Sequence, residues 1–163
     1  MFNRVLHHVA RFLPGSTGLR PFLHRLRGVD IQGKIFIGDD VYIENDFPQC
    51  LHIQDGVSIG LRSTIIVHTG SIGEHGKIVI EKNAVIMSCC TIIGSPGRTL
   101  TIGESSVVAA GSVVSNSIPA HTLCAGPRTK VIAEATVPFS LQTRYQDFLR
   151  GLRPIRTSAK KLK

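Results

Sequence analysis

The sequence predicts an all-β solenoid, a parallel β-helix of about four coils built from short strands. The main observation is a six-residue period of branched aliphatic residues in four groups of three. The positions are Ile31, Ile37 and Ile43; Ile53, Ile59 and Ile65; Ile80, Ile86 and Ile92; and Ile102, Val108 and Val114. The chain has 18 isoleucines in 163 residues. Chance would therefore place about one or two of them in twelve positions, whereas ten of the twelve hold Ile.

The residues between these key aliphatics support the same fold. The position four residues after a key residue is often small or β-branched, as at Val41, Ser63 and Ala84. A period of six fits neither a 3.6-residue helix nor a plain alternating strand. It fits a short strand, a corner and another strand, with successive coils paired at about 4.8 Å. Glycine follows several key residues, as in Ile37-Gly38 and Ile59-Gly60, where positive φ or close packing favours it.

The spacing of the four groups indicates where a site is built. The groups begin at residues 31, 53, 80 and 102, and each fills 18 residues. The extra segments, residues 49–52, 71–79 and 98–101, all follow the third hexad of a coil and should stack along one edge. Loops carried on a rigid scaffold often carry function, so this edge is the predicted site. The alternative is that the segments are neutral surface insertions.

The ends of the chain differ from the repeat. Apolar residues recur at helical spacing over residues 2–13 and again from Leu19 to Leu26. A third apolar stripe runs from Leu141 to Leu152. The predicted domains are an amphipathic helical cap (1–30), a hexapeptide-repeat catalytic β-helix (31–138), and a C-terminal helix with a basic tail (139–163). These helices either cap the open ends of the solenoid or dock on a membrane surface.

The excess of basic residues behind the formal charge of +8 lies at the two ends of the chain. Residues 1–30 hold five arginines and one acid, and residues 139–163 hold seven basic residues and one acid. The repeat between them is slightly acidic. Because no basic stripe runs along the repeat, nucleic-acid binding is not expected. Basic amphipathic ends instead favour peripheral contact with an anionic membrane.

Further classes are disfavoured by the sequence. No apolar run approaches the 18 residues of a membrane-spanning helix. Basic residues interrupt the apolar N-terminus, unlike a secretory signal peptide. The four cysteines, Cys50, Cys89, Cys90 and Cys124, have no CxxC spacing and favour neither a zinc site nor a disulfide framework. The expected location is cytoplasmic, with reduced thiols.

Two motifs carry a family resemblance. The stretch SVVAAGSVVS at residues 106–115 and the stretch AGPRTKVI at residues 125–132 are similar to the closing coils of the hexapeptide-repeat, left-handed parallel β-helix acyltransferases. The segment from Ile53 to Gly111 most resembles their sugar and xenobiotic O-acetyltransferases, such as galactoside and maltose acetyltransferases. The resemblance implies a triangular prism, acetyl-CoA as co-substrate and a homotrimer whose sites lie between subunits.

The resemblance also implies the catalytic residues. His68 closes a coil just before the longest insertion, so it corresponds to the family's general base, which deprotonates the acceptor hydroxyl. His75, at the other end of that insertion, is the alternative base. Ser88 corresponds to the donor to the thioester oxygen, with a structural corner serine as the alternative. Asn45 corresponds to a residue that orients the base or the acceptor.

The same comparison implies the residues that bind acetyl-CoA. Ala110, Gly111 and Ser115 would line a groove for the pantetheine arm. Arg128 and Lys130 would reach the phosphates of the coenzyme, where basic side chains are favoured; an ordinary solvated surface is the alternative for both. No metal is expected.

The predicted function is acetyl-CoA-dependent transfer of an acetyl group to a hydroxyl by direct attack. The expected acceptor is a sugar, free or lipid-linked, in polysaccharide or glycan synthesis. A non-catalytic scaffold or binding module is one alternative. A zinc carbonic-anhydrase-like enzyme is another, although no histidine pair has the spacing it needs. Serine acetyltransferases compete as a class, but they carry a large helical N-terminal domain, and only about 30 residues precede this repeat.

Overall fold

A computed structural model of the chain describes residues 2–67, 75–126, 133–137 and 144–154. The chain forms two compact units, Met1–Gly126 and Pro127–Lys163. The first unit contains the repeat and the N-terminal helices. The predicted domain boundaries at residues 30/31 and 138/139 stay predictions.

Short strands dominate the first unit. Its helices are α1 (Phe2–Phe12) and α2 (Leu19–Leu26), and a 3-10 turn spans Pro48–Cys50. Its strands are β1 (Asp30–Ile31), β2 (Phe36–Ile37), β3 (Tyr42–Ile43), β4 (Leu51–Ile53), β5 (Ser58–Ile59), β6 (Thr64–Ile66), β7 (Lys77–Ile80), β8 (Val85–Ile86), β9 (Thr91–Ile93), β10 (Thr99–Ile102), β11 (Val107–Val108), β12 (Val113–Val114) and β13 (Leu123–Cys124).

Three parallel sheets form the sides of the solenoid. Sheet A has the order β1-β4-β7-β10, sheet B has β13-β11-β8-β5-β2, and sheet C has β12-β9-β6-β3. Every third strand therefore pairs with its counterpart one coil away. The key residues stack in register: Ile31 pairs with Ile53, Ile37 with Ile59, and Ile43 with Ile65. This topology confirms the predicted parallel β-helix.

The core is the column of key residues inside these sheets. All twelve are buried, with relative exposures of 0–7%. The small or β-branched positions are also buried, including Val57, Ser63, Ala84 and Cys90. The two residue types alternate around the interior because large aliphatics fill the centre of the prism and small residues fit at its corners.

Two of the three corners are left-handed turns of constant length. The corner between sheets A and B has positive φ at Gly33, Gly56, Asn83, Ser105 and His121. The corner between sheets B and C has positive φ at Asp40, Arg62, Cys89 and Gly111. From the second coil onward, each of these residues donates its N–H to a carbonyl of the preceding coil. Fixed turn geometry therefore keeps one coil in register with the next.

Glycine after a key residue serves close packing and not positive φ. A Cβ on Gly60 would lie 2.5 Å from the backbone nitrogen of Ser88 in the next coil. A Cβ on Gly38 would lie 2.6 Å from that of Leu61, and one on Gly103 would lie 2.3 Å from that of Ala120. Any larger residue at these positions would push two coils apart, which explains the Ile-Gly steps of the sequence.

The N-terminal helices cap the first coil with arginines. Arg20 is buried and its Nη1 donates to the carbonyl of Ile37 at 2.6 Å. Arg27 is buried and its Nη2 donates to the carbonyls of Ile43 and Glu44 at 3.2 and 2.6 Å. These strand carbonyls have no coil above them, so the guanidinium groups supply the hydrogen bonds that a further coil would have made. The contact between the N-terminal segment and the first coil is therefore polar.

Two histidines of the N-terminal helices are buried, although the sequence predicts that they are exposed. A position on the polar face of a helix predicts solvent exposure for His7, His8 and His24, but only His8 is exposed. His7 is 1% exposed and His24 is fully buried. Arg27 Nη1 donates to His24 Nδ1 at 2.8 Å. The polar faces of these helices point into the unit because Arg20 and Arg27 donate there to carbonyls of the first coil.

The second unit has its own small structure. Helix α3 spans Tyr145–Arg150, and strands β14 (Ala133–Ala135) and β15 (Leu152–Pro154) pair antiparallel. Residues 139–143 of the predicted C-terminal helix lie outside the described residues, and the part that is described is helical and ends at Arg150. There Gly151 turns the chain, and its carbonyl accepts from the N–H of Thr136 at 2.9 Å. Among the described residues, no helix is long and apolar enough to cross a bilayer.

The capping arginines give a stability prediction. Replacing Arg27→Met leaves the carbonyls of Ile43 and Glu44 buried without these donors, so we expect the free energy of unfolding to fall by about 3–5 kcal/mol. Urea denaturation measures it. The control is Arg4→Met, which removes an exposed side chain 3.6 Å from Asp46 and should cost about 0.5 kcal/mol or less. Equal losses in the two variants would contradict the polar cap.

The buried histidines give a pH prediction. Burial, and then the charge of Arg27, lower the pKa of His7 to about 4 and that of His24 to about 3. The unfolded chain protonates both near pH 6.5, so stability is complete above that pH and is lost as the pH falls towards 4. Urea midpoints measured across this window should drop steeply for the native chain and less for His24→Gln. Parallel curves for the two proteins would refute the assignment.

Candidate active site

The extra segments of the sequence stack at the corner between sheets C and A, which we call the insertion edge. Cys50 lies beside His75, with 3.3 Å between Sγ and Nδ1. The carbonyl of His75 accepts from the N–H of Gly97, and that of Arg98 accepts from the N–H of Lys77. The predicted stacking is therefore confirmed for the described residues. The segments are not all loop, because their last residues extend strands β4, β7 and β10 of sheet A.

A cavity of about 330 Å³ opens on this edge. The side chains that line it include Cys50, His52, His75, Lys77 and Arg98. The ring of His75 lies 4.5 Å from that of Phe47, centroid to centroid. The cavity thus offers imidazole, ammonium and guanidinium groups on a rigid rim. These groups suit a polar acceptor with several hydroxyl or anionic groups.

The thiol in this cavity is not set up as a nucleophile. Burial, followed by the charge of Glu44, raises the pKa of Cys50 above its usual value. The thiol therefore stays protonated near neutral pH. Any proton transfer at this edge falls to the histidines.

Glu44 is a site residue that sequence reasoning missed. Its carboxylate is fully buried and bridges two coils. Oε1 accepts from the N–H of Asp46 at 2.8 Å, and Oε2 accepts from the N–H of Val67 at 3.0 Å. A signal was available, since this position follows a key isoleucine, and the matching positions of the next two coils hold Ile66 and Ile93. A carboxylate there, directly above the end of β6, is out of pattern.

Three of the predicted residues of the acyl site lie at the corner between sheets B and C. Ser88 is half-buried there, and its carbonyl accepts from the N–H of Gly111 at 3.0 Å. Ala110 and Gly111 are exposed on the next coil. The structure therefore brings Ser88, Ala110 and Gly111 together. The Gly111 amide is already used between coils.

Ser115 lies at the insertion edge instead. It is exposed and lines two neighbouring cavities, of about 240 and 360 Å³. The larger one shares Arg98 and Thr99 with the cavity beside His75. Asn45 is tied to the N-terminal segment, because its Oδ1 accepts from Arg27 at 2.8 Å and its carbonyl accepts from Asn3 Nδ2 at 2.9 Å. Its Nδ2 donates to the Tyr42 hydroxyl of β3 at 3.3 Å. His68, Arg128 and Lys130 lie outside the described residues.

The two groups of residues lie on opposite edges of sheet C. A Cβ on Gly94 would lie 3.2 Å from the Cα of Val67, so Gly94 marks the insertion edge in the coil of Ser88. The chain runs from Ser88 to Gly94 through β9, which at about 3.3 Å per residue spans roughly 15–20 Å. Within one chain, Ser88 and Val67 thus lie at opposite edges of sheet C, too far apart to contact one small group.

No metal centre is apparent in the described ranges. Within them, no three His, Cys, Asp or Glu side chains converge in a way that could hold a metal ion. His52 is instead paired with Asp30, with 2.9 Å between Nδ1 and Oδ2.

Known proteins share this sequence pattern, although no family model matches the chain. Over 128 residues it is 30% identical to serine acetyltransferase 2 of Arabidopsis thaliana, covering 72% of this chain and 36% of that protein. It is 29% identical to serine acetyltransferase 4 of the same plant, again over 72% of this chain but 33% of the relative. The chain thus spans about a third of the length of these two relatives. It is 28% identical to a Bacillus subtilis protein named "Putative acetyltransferase YvoF", over 80% of this chain and 74% of that one.

A solved structure shares the fold. The crystal structure of a maltose O-acetyltransferase from Clostridium difficile 630 superposes with a TM-score of 0.50 and 21% identity, over 77% of this chain and 80% of that one. Its likeness concerns the arrangement of the coils alone. The six-residue period and the three-sided stack of parallel strands show a parallel β-helix, and these relatives show that the chain is similar to the hexapeptide-repeat, left-handed β-helix acyltransferases.

Proposed function

We propose that this chain is an acetyl-CoA-dependent acetyltransferase that acetylates a hydroxyl, with His68 as general base. The observation that carries the proposal is the insertion edge. Three coils there contribute a cavity rimmed by polar groups, and Glu44 fixes Val67, the residue before His68. The names of the relatives give the reaction type.

The proposed chemistry needs one base and one hydrogen-bond donor. The imidazole of His68 removes the proton of the acceptor hydroxyl as its oxygen attacks the thioester carbonyl. Ser88 donates to the oxyanion that develops on that carbonyl. When the tetrahedral intermediate collapses, the C–S bond breaks and the sulfur of coenzyme A takes the proton from the imidazolium. The products are the acetyl ester and free coenzyme A, and the base is regenerated.

The site is composite, formed between copies of the chain. Ser88, Ala110 and Gly111 share one edge of sheet C, whereas Val67 and Ser115 lie on the other. A second copy that sets its insertion edge against the Ser88 corner of the first would bring both groups onto one thioester. Closed rotational symmetry repeats such a heterologous contact, which supports the proposed homotrimer. In it, Ala110, Gly111, Ser115, Arg128 and Lys130 would hold acetyl-CoA.

Glu44 acts as a positioning residue in this scheme. Its carboxylate ties the end of β6 to the coil above through the N–H of Val67, so it fixes the backbone of the residue before His68. In the proposed site, its buried negative charge also favours the protonated form of the His68 imidazole. Asn45, the neighbouring residue, remains the candidate for orienting the base or the acceptor.

The acceptor we propose is a sugar hydroxyl, free or lipid-linked, in polysaccharide or glycan synthesis. The cavity of the insertion edge supports it, because several donors around a shallow opening suit a polyol. A second candidate is the hydroxyl of serine, because two of the relatives are named serine acetyltransferases. A panel of saccharides and serine, assayed by release of free thiol from acetyl-CoA, separates the two. Cytoplasmic location is part of the same proposal.

The identity of the base is testable by substitution. We expect His68→Ala to lower kcat by about 10²–10⁴-fold, because general-base catalysis contributes that much. His75→Ala, at the other end of the insertion, should retain most of the activity. The reverse outcome would transfer the role to His75, and no loss in either variant would favour a non-catalytic scaffold.

The composite site is testable by complementation. Co-expressed His68→Ala and Ser88→Ala chains should form mixed oligomers in which roughly a quarter of the sites combine two intact residues. Thiol release should recover to about that fraction of the native rate. The control is the chain that carries both substitutions, which should recover nothing. Activity no higher than the sum of the two single variants would contradict a site shared between copies.

The positioning role of Glu44 predicts a kinetic signature. We expect Glu44→Gln to lower kcat about tenfold with little change in KM for acetyl-CoA, and to move the acidic limb of the pH profile to lower pH, because the base loses a nearby negative charge. The matched control is Glu81→Gln, since Glu81 also accepts a backbone N–H of the next coil, that of Glu104 at 2.9 Å. A profile of unchanged shape in Glu44→Gln would reduce Glu44 to a structural role.

A further inference from the structure

The two N-terminal helices expose their apolar faces. Each carries three large apolar residues at helical spacing, and all six are exposed to solvent by 38–71%. We call this set the outer apolar stripe: Val5, Val9 and Phe12 on α1, and Leu19, Phe22 and Leu26 on α2. The ordinary surface helix of a globular protein buries such a stripe. The exposed stripe of these helices therefore marks a contact surface.

The outward direction of the stripe is fixed by the polar cap. The opposite faces of the helices carry Arg20, Arg27, His7 and His24, all of them buried. Arg27 alone bonds two strand carbonyls, the Nδ1 of His24, and the Oδ1 atoms of two asparagines. Rotating either helix to bury its apolar side would break these bonds and leave buried charge unpaired. The stripe is thus held outward by the rest of the structure.

The charges around the stripe indicate which partner it meets. Neither helix contains an acidic residue. Arg4 is exposed and has a 3.6 Å contact with Asp46, and Arg25 is exposed and donates to the carbonyls of Ile31 and Gly33. A second copy of this face would set arginine against arginine, which is unfavourable. An anionic bilayer offers acyl chains to the aromatic and aliphatic side chains and phosphates to the arginines.

We propose that α1 and α2 dock the protein on an anionic membrane through the outer apolar stripe, with Arg4 and Arg25 at the headgroups. This differs from docking through basic helix faces, because Arg11, Arg20 and Arg27 are buried or half-buried in contacts of the first unit, and only Arg4 and Arg25 are exposed. Apolar insertion supplies most of the binding and the two arginines supply the preference for anionic lipid. The proposal is independent of the acetyl-transfer chemistry.

Co-sedimentation of the full chain with vesicles tests the proposal. The native protein should pellet with vesicles of phosphatidylcholine mixed with phosphatidylglycerol, and less with phosphatidylcholine alone. Phe12→Ser/Phe22→Ser should abolish pelleting and leave the melting temperature unchanged, because both rings are already exposed. Arg4→Gln should weaken binding to the anionic vesicles about fivefold, as expected for one cation at a membrane surface.

The matched control changes two equally exposed residues at the other end of the solenoid. Val113 and Leu123 are 68% and 72% exposed on the last coils. Val113→Ser/Leu123→Ser should therefore pellet like the native chain. The proposal is overturned if the native protein ignores anionic vesicles or if both double variants pellet alike. It is also overturned if Phe12→Ser/Phe22→Ser lowers the oligomer size in sedimentation velocity, because the stripe would then join copies of this chain.

Discussion

Each coil of this protein must repeat the path of the coil before it, and the rest of the structure depends on that constraint. Backbone hydrogen bonds join every strand to its counterpart one turn away, and the inward side chains stack in the same register. The contact is close enough that Gly60 has no room for a Cβ above Ser88. A shift of one residue would turn every inward side chain outward. Variation is therefore confined to the ends and to one edge.

At the first coil the stack of coils ends, and the backbone carbonyls there need hydrogen-bond donors from outside the repeat. Its upper carbonyls lack the partner that every inner coil has, so the guanidinium groups of Arg20, on α2, and Arg27, just after α2, take that place. Burying Arg27 lowers its pKa to about 10, and it stays charged at neutral pH. The helices consequently turn their polar faces inward. The outer apolar stripe follows from the cap and is not an independent feature of the sequence.

Much of the fold could be predicted because its signals are local and repeated. The twelve key positions, the stacked extra segments and the bounds of α2 all appear in the sequence as a period or as a run at helical spacing. The direction of the N-terminal helices could not be predicted the same way. Amphipathicity shows that a helix has two faces, but the choice between them depended on carbonyls of Ile37 and Ile43. These belong to distant strands.

For the candidate site, the sequence allowed several residues to be predicted but not their positions relative to one another. Motif resemblance selected Ser88, Ala110 and Gly111, and the structure brings these three together. The motif resemblance could not show that these residues and Val67 lie on opposite edges of sheet C, because a linear motif gives no information about distances across a sheet. The role of Glu44 was not predicted, because a single acidic residue in a β-rich stretch is usually exposed to solvent. Its burial and its hydrogen bond to the N–H of Val67 become visible in the structure alone.

The left-handed corners have a consequence for how such a chain diversifies. Two corners close with turns of constant length, so a residue gained or lost there would put all later coils out of phase. The third corner accepts segments of different length in successive coils while the strands of sheet A stay paired. New recognition loops can therefore be acquired or grafted at one corner without refolding the scaffold. The prism separates the evolution of specificity from the evolution of stability.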